Sequence, residues 1–308
     1  MRKTNPKQSD RTSSGDPTKH PLAEVFGFPC QNDSTDAKRH RRNQLCPFGN
    51  GSPNCTKVSA TNPLGVCSVF DENHAIITCP VRFRENSLIY DDAAAFFFTA
   101  ETRWTTLSEV RLKDKNGKAA GNVDVVVVAY NDAGKVTDFG ALEIQAVYIS
   151  GNVRQPFEKF MANPTANQYM DWTKEDKYPR PDFLSSSRKR LAPQLLFKGG
   201  IMNAWKKKTA VALQTEFFDT LPALQEIGRD EADLAWLIYD LEFDAAQQKR
   251  HLKVNRIAYT KFDSSLMAIT RPNVPPVAEF LETIQGQLDE KLENGDAPDI
   301  ARFDAPIQ

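Results

Sequence analysis

The stretch Asn122 to Ile149, NVDVVVVAYNDAGKVTDFGALEIQAVYI, carries Asp124 in one apolar run and Glu143 with Gln145 in a second. If the two runs form an antiparallel hairpin, paired positions have residue numbers of constant sum, and a turn centred near Ala133 sets Asp124 opposite Glu143 within a residue or two. Like charges directly across a ladder repel, and an unpaired buried charge is costly, so such a pair persists where a cation or a proton sits between its members. Gln145, two residues beyond Glu143, shares its face. The chemistry these residues suggest is cation binding by two carboxylates beside a neutral amide.

The elements that must position them are strands. Val123 to Ala129 is nearly all β-branched and too short for a helix, which predicts a strand buried on both faces. Leu142, Ile144 and Ala146 alternate with Glu143 and Gln145, the pattern of a second strand. Asn131-Asp132-Ala133-Gly134 supplies a tight turn between them. Upstream, Leu107 to Lys113 alternates and ends at Lys115-Asn116-Gly117-Lys118, which reads as a type I′ turn and puts Glu109 opposite Asp124, with Ala119-Ala120-Gly121 as a place for a bulge. Downstream, Ile201 to Leu221 reads as a helix with Trp205, Leu213 and Phe217 on one side. Asp233 to Phe243 reads as a buried strand and Leu252 to Phe262 as another. Val277 to Leu292 has the spacing of an amphipathic closing helix through Val277, Phe280, Leu281, Ile284 and Leu288. Tyr148 to Pro193, rich in prolines and aromatics without a period, reads as an irregular excursion.

All five cysteines lie in the first 80 residues. Cys46, Cys55, Cys67 and Cys79 form a cluster, and Cys30 stands outside it. The N-terminus is polar, without the apolar segment of a signal peptide, and no stretch approaches a membrane span, so the expected location is the cytoplasm. In that reducing setting four clustered thiols read as metal ligands rather than two disulfides, and a tetrahedral thiolate set suits zinc or a single iron. The bland alternative is four small buried residues packing as hydrophobes. Hydrophobic content of 40% and charged content of 26% are ordinary for a globular protein. The formal net charge of −1 conceals segregation, with eight Lys or Arg against one acid between Arg180 and Lys208. Such a stripe is either a footprint for a polyanion or the solvated face of a helix. With only His20, His40, His74 and His251 in the chain, and no Ser-His-Asp arrangement or Gly-rich phosphate loop, histidine catalysis is not expected.

The CPF at Cys46, the GVC at Gly65, the CP at Cys79 and the GALEIQ at Gly140 together resemble the NotI-type restriction endonucleases. The resemblance runs from about Cys46 to Gln145 and returns, weaker, at FKGGIMNAWKK from Phe197 to Lys207. It implies an α/β fold: a PD-(D/E)xK core with a mixed β-sheet flanked by helices, behind a small N-terminal subdomain whose four cysteines hold iron, with zinc as the alternative. By the same resemblance Asp124 and Glu143 hold Mg²⁺, Gln145 stands where the usual lysine would, and Glu109 matches a glutamate near the active site. The loop between Asp124 and Glu143 is shorter than in the family. The implied activity is site-specific type II cleavage of double-stranded DNA by a homodimer. Arg188, Lys189, Arg190, Lys198 and Lys207 are candidates for contacts to DNA phosphates, which give affinity without sequence information. The corresponding division is a disordered basic tail over 1–22, the four-cysteine subdomain over 23–100 and the nuclease core over 101–308, with a DNA-reading insertion near 150–195. The rival readings are a structure-specific or repair nuclease of the same fold and a non-catalytic, metal-stapled DNA-binding protein.

Overall fold

A computed structural model describes residues 19–49 and 53–293. The chain divides into two compact units, residues 1–270 and residues 271–308. Most of the tail expected over 1–22 lies outside the described residues, but its end is part of the fold, since His20 and Leu22 are buried.

The first unit contains two principal sheets. The smaller has four strands, β1 (Leu22–Val25), β2 (Phe28–Pro29), β3 (Val66–Asp71) and β4 (His74–Ile77), in the antiparallel order β2-β1-β3-β4. Helix α1 (Thr35–Asn43) lies between β2 and β3, and helix α2 (Leu88–Phe97) follows β4. Inside this region the carboxylate of Glu24, fully buried, accepts from Ser68 and from Arg82, whose guanidinium also reaches Glu85 at 2.7 Å.

The larger sheet has six strands: β5 (Trp104–Lys113), β6 (Ala119–Tyr130), β7 (Val136–Ile144), β10 (Thr209–Gln214), β11 (Leu234–Asp244) and β12 (Lys249–Thr260), while β8 (Tyr148–Ser150) and β9 (Arg180–Asp182) pair apart from it. Its order is β12-β11-β10-β7-β6-β5. β5, β6 and β7 form an antiparallel meander, β7, β10 and β11 run parallel, and β12 returns antiparallel. Helices cover both faces of this mixed sheet, as the fold class implied. On one, Ile89, Tyr90, Ala93 and Phe96 of α2 pack on Val125, Val127, Leu142 and Ile144; on the other, Leu191, Leu195 and Phe262 pack on Val211, Leu213, Trp236 and Ile238. At about 1.5–3 kcal/mol for each large side chain removed from water, these two layers hold the central strands in place.

The two hairpin turns share one construction. Asn131 accepts the N–H groups of Ala133 and Lys135 on its side-chain oxygen, and Asp114 does the same for Asn116 and Lys118. Gly134 then closes the β6–β7 turn at φ +72°, in the left-handed region that glycine enters without a Cβ clash. The upstream turn is therefore not type I′: of Asn116 and Gly117 only Gly117 has positive φ, because the Asp114 side chain organises a longer loop.

Two further expectations are corrected. Ile201–Leu221 is not one helix. The helix ends at Ala204, Lys206 turns with φ +56°, and Thr209–Gln214 is strand β10, buried along its whole length between β7 and β11. Its sequence TAVALQ shows no alternation because neither face is wet, so tertiary pairing decides its state. The region 150–195 is not simply irregular. Helix α3 (Arg154–Ala162) buries Phe157 and Phe160 with Met170 and Trp172 against Leu22, Val25, Phe26 and Val66, so these aromatics are core. From residue 183 to 204 the chain forms a continuous helical run that alternates α-turns with two π-turn segments, Ser187–Leu191 and Leu195–Gly199, on either side of Pro193. Proline offers no N–H, and widened turns are how a helix absorbs that loss.

In the second unit, Val277–Glu293 is helical, with Val277, Phe280, Leu281, Ile284 and Leu288 all exposed. Among the described residues no helix is long and apolar enough to cross a membrane.

Candidate active site

The hairpin register brings the two acids together. Val125 pairs with Leu142, and one step further Asp124 faces Glu143. There the ladder gives way to a side chain: Asp124 Oδ2 accepts the N–H of Ile144 at 2.9 Å, which ties the end of β7 to β6 through a carboxylate. Glu143 is only 2% exposed. Its Oε1 has no hydrogen-bond partner, and its Oε2 accepts from the ammonium of Lys198. That ammonium also donates to the carbonyl of Asn122 at 2.9 Å and stands 3.8 Å from Asp124 Oδ1. Burial, and then the charge of Asp124, push the Glu143 carboxyl up to about 8, against the opposing pull of Lys198. Between the two carboxylates stands a cation, one of the two companions, cation or proton, that the sequence allowed, and it comes from the chain itself.

Lys198 arrives from the helical run 183–204. Gly199 lets that run approach the helix Phe262–Thr270, since a Cβ at Gly199 would meet the Phe262 ring at 2.6 Å. One turn before Lys198, Gln194 accepts from the side-chain amide of Gln145, whose own N–H donates to Ala212 at 2.8 Å. Gln194 and Lys198 therefore address Gln145 and Glu143 from one helix face. A cleft lined by Gly121, Asn122, Asp124, Gln194, Phe197 and Lys198 opens beside them.

Glu109 is placed differently. Ser108–Val125 and Val110–Val123 bracket it opposite Asp124, as the arithmetic said, but Glu109 holds φ +55°, is exposed, and makes no hydrogen bond or ion pair among the described residues. The basic stripe also separates into individuals. Arg188 and Lys189 are exposed, Arg190 lies over the Tyr148 ring at 4.9 Å, and Lys207 pairs with Asp138 at 2.5 Å. Lys198, taken from sequence as a surface phosphate contact, is 7% exposed and bound to the acid pair. Its position 55 residues from Glu143 within a lysine-rich stretch gave no local signal of that role.

A cation fits at the acids, where a buried carboxylate oxygen lacks a partner and two carboxylates already share positive charge. Two carboxylates with open positions for water and phosphate oxygens are a donor set that suits Mg²⁺. The residues that would hold it are Asp124 and Glu143.

The four clustered thiols line one small pocket with Phe26, Lys57 and Arg82. Backbone N–H groups of Phe48 and Gly49 beside the Cys46 sulfur, and that of Lys57 beside Cys55, favour thiolate charge there. The Lys57 ammonium, buried beside Cys55, Cys67 and Cys79, donates to the Val66 carbonyl at 2.5 Å. Burial raises the thiols of Cys46, Cys55 and Cys67, so as free thiols they are protonated and unreactive. Among the described residues no group of three or more His, Cys, Asp or Glu is gathered at metal-binding distances. The amide donors and the buried ammonium nevertheless suit thiolate charge in this pocket. Cys30 lies apart in the core, its thiol donating to Leu22.

A six-stranded mixed sheet flanked by helices, with a buried Glu143 facing a half-buried Asp124 on neighbouring antiparallel strands and a lysine reaching both from a covering helix, defines an α/β protein. The sequence model described as "Restriction endonuclease NotI" matches residues 31–252, which include both acids, Gln145, Lys198 and all four clustered cysteines. The chain belongs to the NotI restriction endonuclease family. No curated protein matches it.

Proposed function

We propose that the protein is a type II site-specific endonuclease that hydrolyses phosphodiester bonds of double-stranded DNA with Mg²⁺, through a PD-(D/E)xK-type site. The observation that carries this reading is the Asp124–Glu143 pair sharing one ammonium, with a buried Glu143 oxygen left unpartnered, inside a chain of this family. Bound Mg²⁺ would supply an activated water and neutralise charge developing on the phosphate. Asp124 and Glu143 hold it. Gln145 is a neutral amide, so it orients the attacking water but cannot take its proton. Lys198 supplies the positive charge that the Glu-x-Gln sequence lacks, delivered from a helix instead of from two residues beyond the glutamate. Glu109, exposed across from Asp124, is left as an outer acceptor. The exposed Arg188 and Lys189, with the half-buried Arg190, contact backbone phosphates.

The four cysteines hold iron or zinc as a structural clamp for the N-terminal region. Two scissile strands related by a dyad favour a homodimer. Digestion of one plasmid with purified protein and Mg²⁺ tests the reading. Discrete fragments are expected, smearing or junction cutting would favour a structure-specific nuclease, and binding without cutting would favour a non-catalytic DNA-binding protein.

A further inference from the structure

A second cleft, outside the acid site, gathers more cations than acids. It lies between the loop after Cys46 and the β11–β12 hairpin and is lined by Phe48, Arg84, Glu85, Lys249, Arg250 and His251. The Nε atoms of Arg84 and Arg250 and Nε2 of His251 are buried there without a hydrogen-bond partner. Neither arginine nor Lys249 makes an ion pair among the described residues. Lys249 lies over Phe28 at 4.9 Å, and Arg250 over Phe70 and Phe243 at 5.4 and 5.3 Å.

The acids nearby are already engaged. Glu85 accepts from Arg82 at 2.7 Å, from the N–H of Leu252 at 2.6 Å, and faces Nδ1 of His251 at 3.0 Å. Glu24 is held by Arg82 and Ser68. Two carboxylates thus face Arg82, Arg84, Lys249 and Arg250, and the cleft carries surplus positive charge. A tetrahedral oxyanion is the ligand whose several acceptors can meet guanidinium donors and an ammonium together.

We infer that this cleft binds a phosphate group, and that in the protein's work this is a backbone phosphate of the DNA duplex, away from the scissile one. The inference rests on the proposed function for its source of phosphate and deepens it. The placement is suitable. β7, β10 and β11 run parallel, so the β11–β12 tip projects from the same edge of the sheet as Glu143. By strand spacing and rise the cleft lies on the order of 25 Å from Glu143, about seven base pairs along a duplex. Contact there adds affinity and fixes the duplex on the enzyme without reading sequence.

The test uses the full chain carrying Asp124→Asn, which prevents cutting. DNA affinity is measured by fluorescence anisotropy over a range of salt, and thermal unfolding is followed with and without inorganic phosphate. Against that background, Arg84→Gln with Arg250→Gln is expected to weaken DNA binding by about tenfold and to lower the salt slope by about 1. It should also abolish a phosphate-dependent rise in unfolding temperature seen with the parent. Should the double variant misfold, Lys249→Gln alone, whose ammonium rests on one ring at the rim, should show the same direction at smaller size. Phosphate stabilisation that the variants remove, with DNA affinity unchanged, would overturn DNA as the source and leave free phosphate as the ligand. No phosphate effect and no change in DNA binding would overturn the site. Failure of the parent to bind DNA at all would instead sink the proposed function, while the phosphate measurement would still decide the cleft.

Discussion

Lys198→Met separates the account most sharply from a structural reading of the same residues. The substitution keeps the buried aliphatic stem and deletes the ammonium that Glu143 and Asp124 share. Side-chain exposures of 8% for Lys198 and 3% for Glu143 leave little solvent screening, so breaking the pair with both groups charged should cost up to about 3–5 kcal/mol. A second limit tightens this. Burial and Asp124 hold Glu143 at about 8 in the parent, so near pH 7 it already carries a proton, and in the variant it escapes the loss of the ammonium by keeping that proton. The ionic part of the loss is therefore small at pH 7 and grows above pH 8 by about 1.36 kcal/mol for each unit, to about 1.4 kcal/mol at pH 9 in divalent-free buffer. It should vanish as pH falls through 8, because parent and variant then hold the same proton. Urea unfolding followed by tryptophan fluorescence reads this directly. Adding Glu143→Gln removes the stranded charge and should restore most of the loss. A Lys198→Met protein within about 0.5 kcal/mol of the parent at pH 9, or one not rescued there by Glu143→Gln, would refute the shared-cation geometry.

Two other outcomes follow from the same physical arguments. Burial lowers the His20 imidazole to about 4 from 6.5, so the folded state binds fewer protons than the unfolded one across that window. Stability is full above pH 6.5 and falls by about 3 kcal/mol on acidification to pH 4. His20→Gln, which keeps an acceptor for the Leu22 N–H, should flatten this part of the urea-unfolding profile, and an unchanged profile would contradict the assignment. For the thiol pocket, elemental analysis of freshly purified protein should find iron or zinc in proportion to chain. Cys67→Ser should lose it, whereas Cys30→Ser should not; metal-free protein with full stability would leave the cysteines as packing residues.

The hairpin was legible because its information is local. Asn131 and Gly134 fix where the chain reverses, the β-branched run of β6 fixes the state, and period-two alternation fixes the face, so Asp124 and Glu143 could be paired by arithmetic. Glu109 was placed in register by the same arithmetic, yet its positive φ and exposed carboxylate depend on backbone geometry that the residue type does not announce. β10 was misread because a strand buried on both faces loses the alternation that marks strands. Lys198 was invisible as a site residue for a different reason. Lys189, Lys206, Lys207 and Lys208 share its stretch of chain, and only the packing of the 183–204 run across β6 and β7 singles out one ammonium. The aromatics of 157–172 looked like a groove-reading surface because composition records that they are apolar, and only the partner surface from β1 and β3 makes them core.

The central claim is that Asp124 and Glu143 form the metal site of a DNA-cutting enzyme. Single-turnover cleavage of plasmid DNA by Asp124→Asn protein, beside parent protein and with folding verified by the urea transition, tests it most directly. The account predicts parent cleavage that requires Mg²⁺ and a loss of at least about 10³-fold in the variant with its fold intact. Mg²⁺-dependent cleavage retained at the parent rate by Asp124→Asn would contradict it.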